Sequence, residues 1–113
     1  MFEKEFEGKV VLVTGGSTGI GYATVKSFLA TGAKVYFLGK PGEDLTKQTE
    51  ELKAINPDYD FASNTIDLCD YKAAQALYAE IEEKWGRLDV LVNNAGVDSS
   101  LPIHKMKQSQ WDY

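Results

Sequence analysis

The chain has one cysteine, three prolines, a single histidine and no cluster of basic residues. One cysteine, Cys69, cannot close an intrachain disulfide or build a cysteine zinc site, so a reducing, cytoplasmic setting is the expectation. It reads as a small buried filler rather than a nucleophile. His104 has no Cys, Asp or Ser partner at a telling spacing, so it reads as an exposed loop residue and no metal site is expected. No apolar run approaches the roughly 20 residues that span a bilayer. The amino end, Met-Phe-Glu-Lys-Glu-Phe-Glu, lacks the apolar core of a signal peptide. With 12 Lys and Arg against 17 Asp and Glu, the net charge is -5. That balance, without a basic helix face, argues against nucleic acid or an anionic membrane as partner. Repeats, low-complexity segments and a second domain are also missing, and 113 residues suffice for one modest core.

What the chain does have is a glycine-rich turn in a telling place. Lys9 to Val13 is a β-branched run suited to a strand buried on both faces of a parallel sheet. Thr14-Gly15-Gly16-Ser17-Thr18-Gly19-Ile20-Gly21 follows at once, and a helix with Ile20, Ala23, Val25, Phe28 and Leu29 on one side runs on to Gly32. Glycines let backbone approach a pyrophosphate closely, and the N–H groups at a helix start favour its charge. A nucleoside triphosphatase loop is excluded, because Tyr22-Ala23 stand where Lys and a hydroxyl residue are needed. The Gly-x-Gly-x-x-Gly fingerprint does not fit either, since the spacing is Gly15-x-x-x-Gly19-x-Gly21.

The remaining pattern repeats strand and helix. Residues 1–8 are a charged lead-in, and 9–113 read as one dinucleotide-binding unit. Ala33 to Leu38 is a second strand closed by Gly39-Lys40-Pro41-Gly42. A helix carrying Leu45, Leu52 and Ile55 on one side stops at Asn56-Pro57. Phe61 to Ile66 is a more polar strand suited to a sheet edge. Asp70 is placed to cap a third helix with Ala74, Leu77, Tyr78, Ile81 and Trp85 inward and Gly86 at its end. Leu88 to Val92 is a fourth strand, and Asn93-Asn94-Ala95-Gly96 turns into a loop running through Pro102 to about Lys107. Four such alternations without a hairpin signal imply an α/β fold: a parallel sheet of order 3-2-1-4, half of a doubly wound Rossmann-type sheet. Ligands bind such sheets in the crevice at the carboxyl ends of strands 1 and 4.

Two motifs, Thr-Gly-x-x-x-Gly-Ile-Gly over Thr14 to Gly21 and Asn93-Asn94-Ala95-Gly96 after the fourth strand, together resemble the short-chain dehydrogenase/reductase pattern. The likeness runs from Lys9 to the last residues. It implies an NAD(P)-dependent oxidoreductase of an alcohol/ketone pair, with this segment as its cofactor-binding part. By that resemblance Gly15, Ser17, Thr18, Gly19, Ile20 and Gly21 form the pyrophosphate loop. Asp67 and Leu68 match the adenine contact, while Asn93, Ala95 and Gly96 support the ribose and nicotinamide side. Thr14 ties the two loops together.

The family's chemistry uses an Asn, a Ser and a Tyr-x-x-x-Lys unit placed after a fifth strand, in which the lysine lowers a tyrosine pKa from about 10. No counterpart appears through Tyr113, so no catalytic residue is assigned and the chain alone is expected to be inactive. Ser109-Gln110-Trp111-Asp112 resembles the start of the helix that bears the asparagine. Tyr22-Ala-Thr-Val-Lys26 spells the tyrosine–lysine motif on one helical face, but it lies on the phosphate-binding helix, far from the nicotinamide end. NADP(H) is expected over NAD(H), because Gly39 stands where a carboxylate would hold the adenine-ribose hydroxyls and Lys40 follows to pair with a 2′-phosphate. Two other readings stay open: a non-catalytic nucleotide-binding module, and an interaction protein that docks a partner on its half-sheet. The fourth strand, short of a fifth to pair with, is expected to drive self-association or to require a missing carboxyl-terminal half.

Overall fold

A computed structural model describes residues 6–94. Seven elements alternate along them: β1 (Val10–Thr14), α1 (Gly19–Ala30), β2 (Lys34–Leu38), α2 (Thr46–Ile55), β3 (Phe61–Asn64), α3 (Tyr71–Trp85) and β4 (Val90–Asn93). The strands form one four-stranded sheet in the order β3-β2-β1-β4. All three pairings are parallel, with Leu12 opposite Tyr36 and Leu91, and Tyr36 opposite Ala62. The expected Rossmann-type order is therefore the observed one.

Strand alternation sorts the core into two layers. Val11, Val13, Val35 and Phe37 face Val25 and Leu29 of α1 and Leu52 of α2. Val10, Leu12, Tyr36 and Leu38 face Leu77 and Ile81 of α3. Because β1 and most of β2 are buried from both sides, they need apolar residues at every position, and period-two alternation is absent from their sequences. Tyr36 and, at the end of β1, Thr14 are the buried polar exceptions. Tyr36 is held from α3. Its hydroxyl donates to Glu80 Oε1 of α3 at 2.9 Å, and its ring meets Trp85 edge to face at 6.4 Å. Burial, then the Glu80 carboxylate, pushes its pKa up to about 12.

Local signals account for the helix ends. The Asp70 carboxylate accepts from the N–H groups of Lys72 and Ala73 at the start of α3, and Gly86 ends that helix at φ 78°. Pairing extends β1 to Thr14 and β4 to Asn93. This brings the last residues of both strands to the same sheet end as the glycine turn.

Four placements differ from the sequence pattern, the exposed Ala23 of α1 among them. Ile20 is 77% exposed and Ile55 52% exposed, although both fit the apolar side of their helices. Each lies in a terminal turn, beyond the sheet that the middle turns cover. Cys69 is exposed rather than buried. It sits in a tight turn where its N–H donates to Asp67 Oδ1 and the Asp70 N–H donates to the Asp67 carbonyl, so its side chain stays outside the core. β3 also stops at Asn64, two residues before the expected end.

Candidate functional site

The glycine turn is shaped by contacts that exclude side chains. Gly15 and Gly19 have φ 62° and 58°, the left-handed region that glycine tolerates. At Gly21 the constraint is space: a Cβ there would lie 1.9 Å from the Gly15 carbonyl oxygen and 2.7 Å from Asn94 Nδ2. At Gly16 it would lie 2.7 Å from Phe37 Cβ. Glycine lets the loop fold down onto β1 and α1 with backbone outermost. α1 begins at Gly19, inside the glycine motif itself, and among the described residues no side chain caps its start. The start of α3, by contrast, is closed by Asp70. The free donors and the positive end of the α1 dipole therefore face the crevice.

β4 supplies the other wall. The Asn94 N–H donates to Thr14 Oγ1 at 2.9 Å, and Asn94 Nδ2 donates to the Gly15 carbonyl at 3.3 Å. Thr14 Oγ1 lies 3.0 Å from Asn93 Oδ1 and 3.4 Å from the Val92 carbonyl oxygen. Thr14, 3% exposed, thus joins the glycine turn to the β4 loop, and Asn94 is a fastener that the sequence pattern does not single out. Ala95, Gly96, Pro102, His104 and residues 107–113 lie outside the described residues.

The third wall comes from the β2–α2 connection. Lys40-Pro41-Gly42-Glu43 is a tight turn in which the Glu43 N–H donates to the Lys40 carbonyl at 2.9 Å, and Gly42 takes φ 87°. Pro followed by a positive-φ Gly is the type II pattern. It folds Glu43 back so that its Oε1 accepts from Ser17 Oγ and from the Lys40 N–H, both at 2.9 Å. Ser17 is only 7% exposed. Behind it, Gln48 Nε2 donates to the Ser17 carbonyl at 2.9 Å. Ser17 is therefore clamped from both sides by Glu43 and Gln48, neither of which belongs to a sequence motif. The Pro41-Gly42 pair is a signal for the first; a lone glutamine in a helix is none for the second. Ser17, Thr18, Lys40, Pro41, Gly42 and Glu43 line a cavity of about 350 Å³.

Asp67 and Leu68 follow β3. The Asp67 carboxylate is exposed and holds the Cys69 N–H through Oδ1. Leu68 is half-buried against the α3-side core. Ile20 stands exposed at the crevice rim. Tyr22 and Lys26 do share one face of α1, with Lys26 Nζ 4.8 Å from the ring centroid. The Tyr22 hydroxyl, however, hydrogen bonds to Glu51 of α2. Burial and that carboxylate push its pKa upward, the opposite of what a catalytic tyrosine needs. The pair braces α1 against α2.

Backbone donors at an uncapped helix start, a glycine cradle that a Cβ at Gly16 or Gly21 would fill, and a second loop fastened across it fit a pyrophosphate. Among the described residues no group of His, Cys, Asp or Glu is placed to hold a metal ion, and no helix is long and apolar enough to cross a membrane. The fold and this crevice define a Rossmann-type unit of the doubly wound class.

The family model for short chain dehydrogenase matches residues 9–113, and the chain belongs to that family. It is 34% identical over 105 residues to a 3alpha-hydroxysteroid dehydrogenase of Mediterraneibacter gnavus, covering 93% of this chain and 42% of that protein. It is 34% identical over 106 residues to the 3-oxoacyl-acyl-carrier-protein reductase FabG of Thermotoga maritima, covering 94% and 42%. Its fold superposes on L-sorbose reductase from Gluconobacter frateurii, solved with NADPH and L-sorbose, at a TM-score of 0.75 and 27% identity, covering 98% of this chain and 41% of that one. The chain thus spans less than half the length of these relatives.

Proposed function

We propose that this chain binds a nicotinamide dinucleotide at the crevice between β1 and β4, as the cofactor-holding part of an oxidoreductase acting on an alcohol/ketone pair. The observation that carries this reading is the junction itself. Thr14 and Asn94 fasten two backbone loops at the start of a helix with no side-chain cap. The residues assigned to the cofactor are Gly15, Ser17, Thr18, Gly19, Ile20 and Gly21 for the pyrophosphate, Gly39 and Lys40 for the adenine ribose, Asp67 and Leu68 for adenine, and Asn93, Ala95 and Gly96 for the nicotinamide side. When bound, the dinucleotide supplies hydride transfer. The chain's own residues hold and orient it. A FabG and an L-sorbose reductase among the relatives support a carbonyl/alcohol substrate for the whole protein.

NADP(H) is the preferred form in this reading, because Gly39 offers no carboxylate to the ribose hydroxyls and Lys40 follows it in the chain. A relative solved with NADPH and another solved with NADP support it. Fluorescence titration of the chain with NADPH and NADH tests both levels. Saturable binding of both, tighter for NADPH, is expected. Binding of neither overturns the reading, and tighter NADH binding overturns the preference.

A further inference from the structure

Resting on that reading, we propose that the Glu43 carboxylate stands in the place of the 2′-phosphate of NADP(H) and so sets how sharply the chain separates the two cofactors. Two donors from different parts of the chain, Ser17 Oγ–H and the Lys40 N–H, converge on one oxygen, Oε1, each at 2.9 Å. Convergence of a buried hydroxyl and a backbone N–H on a single anionic oxygen is an anion site. Its occupant here is supplied by the chain itself, from the turn that follows β2, the strand whose end the proposed function assigns to the ribose. The Pro41-Gly42 turn puts the carboxylate there. Gly39 keeps the room for it, since a Cβ on Gly39 would lie 2.6 Å from Glu43 Oε1 and 2.9 Å from Leu45 Cδ2.

The consequence is a competition. A 2′-phosphate carries about −1.5 to −2 charge and seeks the same two donors, so Glu43 must leave both hydrogen bonds before the phosphate is held by Ser17, the Lys40 N–H and the Lys40 ammonium. NAD(H), with a hydroxyl in that place, does not require the exchange. Glu43 therefore opposes Lys40, and the preference for NADP(H) in the native chain is modest. The same geometry makes Gly39→Asp a poor reporter of specificity, because its side chain meets Glu43 and Leu45 before any ribose.

The experiment is calorimetric titration of the 113-residue chain, Glu43→Gln and Glu43→Ala with adenosine 2′,5′-bisphosphate and with 5′-AMP, alongside NADPH and NADH. The glutamine variant keeps the side chain's shape and removes its charge; the alanine variant empties the position. Both are expected to bind the bisphosphate and NADPH about tenfold more tightly, a gain of about 1.4 kcal/mol, with 5′-AMP and NADH changed by less than about twofold. An unchanged ratio between the bisphosphate and 5′-AMP overturns the inference while leaving the proposed function intact. Weaker binding of 5′-AMP and NADH by both variants also overturns it, assigning Glu43 to the ribose hydroxyls instead. A native chain and variants that bind none of the four ligands overturn the inference together with the proposed function.

Discussion

Two glycines of the cradle differ in why they are glycine, and substitution separates the reasons. Gly21 is short of space, since a Cβ there would meet the Gly15 carbonyl oxygen at 1.9 Å, whereas Gly19 has open space around it and only a left-handed φ of 58°. Gly21→Ala must push the turn off the helix, so it is expected to weaken dinucleotide binding at least about tenfold and to cost about 1–3 kcal/mol of stability. Gly19→Ala strains one residue, at about 1–2 kcal/mol, and leaves the Asn94 fastening in place. Paired melts and cofactor titrations check this; equal binding losses in the two variants would sink the distinction. Tyr22 belongs to the same scale. Its motif with Lys26 is visible in the sequence, but only the folded surroundings, burial first and then Glu51 from another helix, show that the hydroxyl's acidity is moved the wrong way.

Among the elements, α3 is joined to the sheet by a group that titrates. The Tyr36 hydroxyl of β2 reaches Glu80 of α3, and its pKa is raised to about 12 from an unfolded value of about 10. Between those values the folded chain keeps a proton that the unfolded chain has released, so stability falls as pH rises from about 10 to about 12. Below about pH 10 the contribution is fully present. Tyr36→Phe is expected to cost about 0.5–1.5 kcal/mol at neutral pH and to flatten the alkaline decline. Denaturant midpoints at neutral pH and near the middle of that alkaline window measure both. An equally steep decline in the phenylalanine variant would show that another group governs it.

For the molecule as a whole, the two sheet edges are unequal. β3 ends the sheet with the mixed sequence Phe-Ala-Ser-Asn, while β4 presents Val90, Leu91 and Val92, each half-buried, and pairs only with β1 among the described residues. Full burial of such side chains contributes about 1.5–3 kcal/mol each, large beside a domain stability of about 5–15 kcal/mol. An uncharged β-branched edge is also a template for further pairing. The 113-residue chain is therefore expected to self-associate or exchange segments through β4. Sedimentation across a concentration series and amide exchange at Val90 to Val92 check this. A concentration-independent monomer with fast-exchanging amides there would show the edge to be tolerated.

The sequence by itself determined the strand–helix alternation, the glycine turn and the Asp70 and Gly86 helix ends, because each rests on local chemistry: apolar runs, backbone freedom at glycine, a carboxylate beside free N–H groups. The sheet order followed from the alternation through the topology of parallel crossovers. The resemblance to the family also marked Thr14 as the tie between the glycine turn and the loop after β4. The sequence assigned no role to Asn94, Gln48 or Glu43, and it misplaced Ile20, Ala23, Ile55 and Cys69. Periodicity assigns a helical residue to a face but does not say whether a neighbouring layer extends far enough to cover it, as Ile20 and Ile55 show. Glu43 reads as one more surface acid until the Pro41-Gly42 turn brings it back to Ser17, 26 residues away in the chain. Which loops meet at the crevice, and which anion already occupies it, only the tertiary structure decided, because those contacts join segments that carry no mark of one another.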